Sequence, residues 1–211
     1  MRVIEEKAEL TIPRDGNRSK GLHLSEIIRD YALVTKVLGE EYDTTIEESN
    51  TLVLVWLGLA FENMLAAYQH PEIHFHPGEV VHKGIAMSPD GLSFASVDVG
   101  WMLHEFKLTL KSSRGFRESL RMRARKVLMY LWQIMCYRYA LNCYLVKMGE
   151  KPCLEAMLHV MFLRGNYGEF GDKESLPTYK IFRLVFTQEE LDENWALFEE
   201  HARSSGRLVE G

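Results

Sequence analysis

At 211 residues the chain is long enough to bury a full hydrophobic core within one domain of ordinary size. Hydrophobic residues make up 46% and charged residues 26%, the balance of a soluble globular protein. A net charge of −5 and a pI near 5.9 exclude a basic field over the whole molecule, so attraction to a nucleic acid would need a local basic patch.

No basic start, apolar stretch and cleavage site opens the sequence, and a cytoplasmic protein without a secretory leader is the expectation. Residues 1–20 are polar, with a Pro13–Gly16 turn, and read as an N-terminal arm on a single domain covering 1–211. Ser25 is the expected N-cap of a helix over 26–38. After the polar stretch 43–50, a mostly buried helix is expected to reach about His70, where "HPEIHFHPGE", with Pro71 and Pro77, breaks it. Its apolar run, Leu52 to Phe61, is too short for a membrane span. Strands are predicted over 80–87 and 101–110, with a further one after Asp90.

Residues 117–147 read as one long helix, basic in its first half (Arg117, Arg121, Arg123, Arg125, Lys126) and aromatic and apolar in its second. A strand over 154–163, the loop "RGNYGEFGDKES" and a strand over 179–186 follow. Thr187 and Glu190 form a capping box that opens a last helix to about Arg203. The order α, α, β, β, β, α, β, β, α predicts an α/β (α+β) fold with a central mixed β-sheet flanked by helices. Cys136, Cys143 and Cys153 are odd in number and contain no CxxC pair, so they are expected to be free thiols.

The stretch "SPDGLSFASVDVGWMLHEFKLTL", residues 88–110, carries the chemistry. Residues two apart in a strand share a face, so Glu105 and Lys107 project together while His104 and Phe106 point the other way. Asp90, in a turn set by Pro89 and Gly91, can approach Glu105. Two converging carboxylates and nearby carbonyls suit a hard divalent cation such as Mg²⁺, which takes oxygen ligands and keeps several waters. A lysine beside them is no ligand, but it can orient an attacking water or stabilise charge developing on phosphorus. That set fits metal-assisted phosphodiester hydrolysis better than acyl transfer, for which no serine or cysteine motif is visible.

"SPDG" followed by "EFK" resembles the signature of the PD-(D/E)XK nucleases, with Asp90, Glu105 and Lys107 in its three positions. "GLAFENMLAAY" places Glu62 where such nucleases often carry a helix glutamate of the metal shell. "WQIMCY" supplies Gln133 and Tyr137, which resembles the QxxxY motif of the RecB-like and phage lambda-exonuclease-like branch, and at four apart these two share a helix face. The resemblance implies a restriction-endonuclease-like core. It implies Asp90 and Glu105 as ligands of Mg²⁺ or Mn²⁺, with the Phe106 carbonyl and Glu62 as further ligands, Glu62 directly or through water. It also implies Lys107 as the catalytic lysine, and Gln133 and Tyr137 as residues that support the site or touch DNA. The iron–sulfur cluster of some relatives needs four cysteines; with three in another spacing, none is expected here.

Blander readings compete with each of these. Glu105 and Lys107 could be an ion pair on a solvated strand, Glu62 a polar interruption on an exposed helix face, and Asp98 a rival ligand. The histidines at 70, 74, 76 and 82 suggest zinc, yet the flanking prolines favour an irregular surface loop. Lys111, Arg114, Arg117 and Arg121, directly after the candidate catalytic strand, would form a tract for a DNA strand. The loop 164–174, with Tyr167, could gate the cleft. Together these readings predict a metal-dependent deoxyribonuclease, more an exonuclease acting on DNA ends in recombination or repair than an endonuclease. DNA is the expected partner, with a homo-oligomeric ring or a recombination partner protein and no membrane. The competing class is a DNA-binding or packaging module on a nuclease fold with weak or no catalysis.

Overall fold

A computed structural model describes residues 21–39, 48–65, 67, 72–96, 100–153, 155–165 and 176–208. The arm at 1–20, His70, Asp98 and Tyr167 lie outside them. Five strands form the main sheet: β2 (His74–Phe75), β5 (Gly91–Ser96), β6 (Gly100–Thr109), β7 (Glu155–Phe162) and β8 (Thr178–Leu184), in the order β2-β5-β6-β7-β8. β6 and β7 run parallel and the other pairs antiparallel, giving the mixed sheet expected from the element order. β1 (Leu22–His23), β3 (Val80–His82) and β4 (Ile85–Met87) make a small second sheet.

The helices are α1 (Leu24–Thr35), α2 (Glu48–Met64), α3 (Phe116–Arg121), α4 (Arg125–Lys147) and α5 (Gln188–Ser204). A parallel β6–β7 pair needs a crossover, and α3 with α4 supplies it. One sheet face, with Leu103, Ala156, Leu158, Val160 and Phe162, belongs to the main core with Leu131 and Ile134 of α4, Ile27 and Ile28 of α1, and Trp195 and Phe198 of α5. On the other face Phe106 packs with Phe61 and Leu65 at the end of α2 and with Ile73. β6 is therefore covered on both sides, which dictates its buried character from Leu103 to Phe106. No helix among the described residues is long and apolar enough to cross a membrane.

The structure corrects several expectations. The strand predicted over 80–87 is a hairpin: Lys83 (φ 49°) and Gly84 (φ 80°) are both left-handed, the backbone of a two-residue turn between β3 and β4. The long helix over 117–147 is two helices, because Arg123 turns left-handed (φ 49°) and the Ala124 N–H bonds back to the Ser119 carbonyl. Ser25 lies inside α1, whose N-cap is His23 without a side-chain cap. α2 is less buried than predicted, since Val53, Trp56, Leu57 and Met64 are exposed. The "HPEIHFHPGE" segment, expected to be irregular throughout, contributes β2 to the sheet edge. The capping box of Thr187 and Glu190 forms as expected at the start of α5.

Gly91, next to Asp90, is required by close packing. A Cβ there would lie 2.7 Å from Ile73 Cγ2 and 3.4 Å from both His104 Cβ and the Phe106 ring. Gly91→Ala is expected to destabilise the chain by about 1–3 kcal/mol through this overpacking. A urea denaturation midpoint equal to the parent's would contradict that close approach.

Candidate active site

Strand alternation on β6 places Glu105 and Lys107 on one face, and the lysine Nζ donates to Glu105 Oε1. Asp90 immediately precedes β5, whose Gly91 pairs with His104 of β6. Its Oδ2 accepts the Phe106 N–H at 2.8 Å and lies 3.9 Å from Lys107 Nζ. The backbone of the residue between the acid and the lysine thus fixes the second acid. The three signature residues predicted from sequence come together around one ammonium group.

Glu105 is fully buried, and its Oε2 has no hydrogen-bond partner among the described residues. Burial, followed by the negative charge of Asp90, pushes its pKa well above the usual carboxylate range. Burial alone would lower the Lys107 pKa, but the Glu105 and Asp90 carboxylates outweigh it and keep the ammonium charged. Glu62, on α2, is coupled electrostatically to the same pair: burial first, then Asp90, raises its pKa to about 7. Tyr137 of α4, deeply buried, accepts a hydrogen bond from Gln133 Nε2 at 2.8 Å. Its pKa is raised by burial and next by the charge of Glu105, which sets it beside the cluster.

The basic residues divide. Lys111 Nζ donates to the Lys126 carbonyl and lies 5.0 Å from the centre of the Tyr130 ring. Arg121 is paired with Glu118 at 2.7 Å on the surface of α3. Arg117 is exposed on the same short helix, and the Arg114 N–H donates to Ser112 Oγ at 3.1 Å. Cys136 and Cys153 are buried and Cys143 is half-buried, all as free thiols.

Two arrangements escaped the sequence reading. His76 lies beside Glu62, with Nε2 3.7 Å from Oε2. His82, another of the histidines considered for zinc, instead packs edge-on to Tyr139 and Trp195. Behind the site, a chain of hydrogen bonds crosses four strands. Ser93 Oγ meets His104 Nε2 at 2.8 Å, His104 Nδ1 meets His159 Nε2 at 2.9 Å, and His159 Nδ1 meets the Tyr179 hydroxyl at 2.5 Å. The signal for it was a histidine alternating with Phe106 on an apolar strand face, but its partners are distant in sequence.

Among the described residues, no three histidine, cysteine, aspartate or glutamate side chains form a ready cage for an ion. Mg²⁺ demands less, because it is usually held by one or two carboxylates and retains waters. Asp90 and Glu105 fit that demand with hard oxygen donors, one of them the unpartnered Glu105 Oε2. When all are ionised, the carboxylates of Glu62, Asp90 and Glu105 exceed the Lys107 ammonium by two negative charges, which a divalent cation would balance.

No family model matches the sequence, and no curated protein matches it. Among solved structures, the chain is similar to SSO0001, with 10% identity and a TM-score of 0.44 over 90% of this chain and 80% of that one. It is similar to a phage-related exonuclease from Haemophilus somnus 129PT, with 10% identity and a TM-score of 0.41 over 87% and 80% of the two chains. It is also similar to LHK-Exo, solved in complex with dAMP, with 15% identity and a TM-score of 0.41 over 90% and 95%.

The raised Glu62 pKa has a stability consequence for the metal-free chain. The folded state holds this proton more tightly than the unfolded state, so its stabilising contribution is complete below about pH 4.5. It is lost as pH rises through about 7. In EDTA, the parent is expected to lose up to about 3 kcal/mol relative to Glu62→Gln across that window, read from urea denaturation at each pH. Parallel pH profiles would contradict the burial of an ionisable Glu62 beside Asp90.

Proposed function

We propose that the chain is a divalent-metal-dependent deoxyribonuclease that hydrolyses phosphodiester bonds. One observation carries the reading: Lys107 Nζ is held between Glu105 and Asp90, while the second oxygen of the buried Glu105 has no hydrogen-bond partner among the described residues. An ion pair on a solvated strand would leave neither a fully buried carboxylate nor an orphan oxygen. Asp90 and Glu105, with the Phe106 carbonyl, would hold Mg²⁺ or Mn²⁺, and Glu62 would join directly or through water. Such an ion supplies Lewis acidity toward the scissile phosphate and a lowered pKa for the attacking water.

The chain's own residues do the rest. The Phe106 N–H orients Asp90, and Glu105 orients the Lys107 ammonium. Lys107 Nζ–H then donates to the attacking water or to a phosphate oxygen as negative charge grows there. The Gln133–Tyr137 pair, whose tyrosine feels the Glu105 charge, would help to restrict the access of that acid to bulk water. Arg114 and Arg117 lie downstream on the chain and would contact the DNA backbone, with Lys111 and Arg121 giving up their present partners to join them. The preference for DNA ends rests on the resemblance of Gln133 and Tyr137 to the lambda-exonuclease-like motif.

Incubation of linear and circular duplex DNA with the purified chain and Mg²⁺ tests the proposal. Degradation of the linear form alone, abolished by EDTA, is expected. Asp90→Asn retains an acceptor for the Phe106 N–H, and Lys107→Met retains the stem, yet each should lower cleavage by about a thousandfold while DNA binding survives. Cleavage by both variants at the parent rate would overturn the site. A parent that binds DNA and never cuts it would favour the packaging-module reading.

A further inference from the structure

The segment between α2 and β5 holds a residue that the signature does not include. β2 pairs Phe75 with Gly91, and the ladder extends one step: the His76 N–H donates to the Asp90 carbonyl at 2.9 Å. At His76 the backbone turns left-handed (φ 47°), which ends β2 and brings the ring back toward α2. There Nε2 lies 3.7 Å from Glu62 Oε2, with the ring 60% exposed and the Glu62 side chain 18% exposed. At that distance the pair is an electrostatic contact and not a hydrogen bond. One residue therefore touches two acids from different elements: Asp90 through its backbone and Glu62 through its ring.

We propose that His76 is a positioning residue of the carboxylate site, holding Glu62 of α2 in place relative to Asp90. The inference rests on the metal-site reading above and adds to it a group that holds the acid carried by α2. Glu62 is carried by a helix and Asp90 by a strand turn. Electrostatic repulsion between the two acids opposes their approach. A ring 3.7 Å from Glu62, anchored through its own backbone to the Asp90 carbonyl, limits the positions Glu62 can take relative to Asp90. Residues that orient a ligand in this way contribute to metal affinity without touching the ion.

Mn²⁺ binding by the full metal-free chain, measured by calorimetry and by the loss of the free-ion electron paramagnetic resonance signal at one fixed pH, tests the proposal. His76→Gly keeps a left-handed backbone without strain and removes only the ring. Its Mn²⁺ dissociation constant should rise about tenfold, while its melting temperature in EDTA matches the parent's. His76→Gln, which restores a donor, should recover much of the loss. The metal concentration giving half-maximal DNA cleavage should shift by the same factor. If His76→Gly lowers the melting temperature in EDTA, His76→Asn is read in its place, since asparagine also tolerates the left-handed region. A His76→Gly chain (or the His76→Asn chain read in its place) that binds Mn²⁺ as the parent does would overturn the role of His76 and leave the metal site standing. A parent that takes up no Mn²⁺ would overturn the metal site itself, and His76 with it.

Discussion

A carboxylate with no exposure to solvent governs this structure. Moving such a group from water to the interior costs several kcal/mol, and an unpartnered polar atom adds about 1–3 kcal/mol more. Glu105 bears both burdens: Oε1 is met by the Lys107 ammonium, while Oε2 has no hydrogen-bond partner among the described residues. Burial and Asp90 raise its pKa, whereas Lys107 opposes that rise. The result is a group whose charged form is incompletely compensated by the chain alone. A second cation in the same place would complete the compensation and convert a local instability into a binding site.

The sheet is arranged to keep that group where it is. Antiparallel pairing of β5 with β6 sets Gly91 against His104, and the glycine permits Ile73 and Phe106 to close over the junction. The Phe106 N–H then holds Asp90 from the strand backbone, a more rigid anchor than another side chain would be. On the opposite face, the Ser93–His104–His159–Tyr179 chain links β5 to β8 across the strand that bears the site. Its two imidazoles share one hydrogen bond, so one ring donates there and the other accepts. This fixes the lateral alignment of four strands behind Glu105 and Lys107, and Phe106 packs at a tilt against His159, ring centres 4.6 Å apart, within the same layer.

Much of this was legible in the sequence because it is local. Two-residue periodicity on β6 assigns Glu105 and Lys107 to one face, the four-residue interval assigns Gln133 and Tyr137 to one side of α4, and the capping box marks the start of α5. The failures have physical causes of other kinds. The β3–β4 hairpin depends on two successive left-handed residues, Lys83 and Gly84, and the turn between α3 and α4 on a left-handed Arg123, a conformation that arginine rarely signals. The hydrogen-bonded chain of histidines joins residues 93, 104, 159 and 179, whose adjacency exists only once the strand order is known. His76 was visible as a histidine between breakers, but its relation to Glu62 depends on the pairing of β2 with β5.

On the proposed reading, the unpartnered Oε2 of Glu105 is a ligand position. Crystals grown with MnCl₂ and measured above the manganese absorption edge address it directly through anomalous difference density. A single strong peak is expected within coordination distance of Glu105 Oε2 and the Asp90 carboxylate. A map without that peak, in which Glu105 Oε2 is instead met by a donor from the protein, would contradict it.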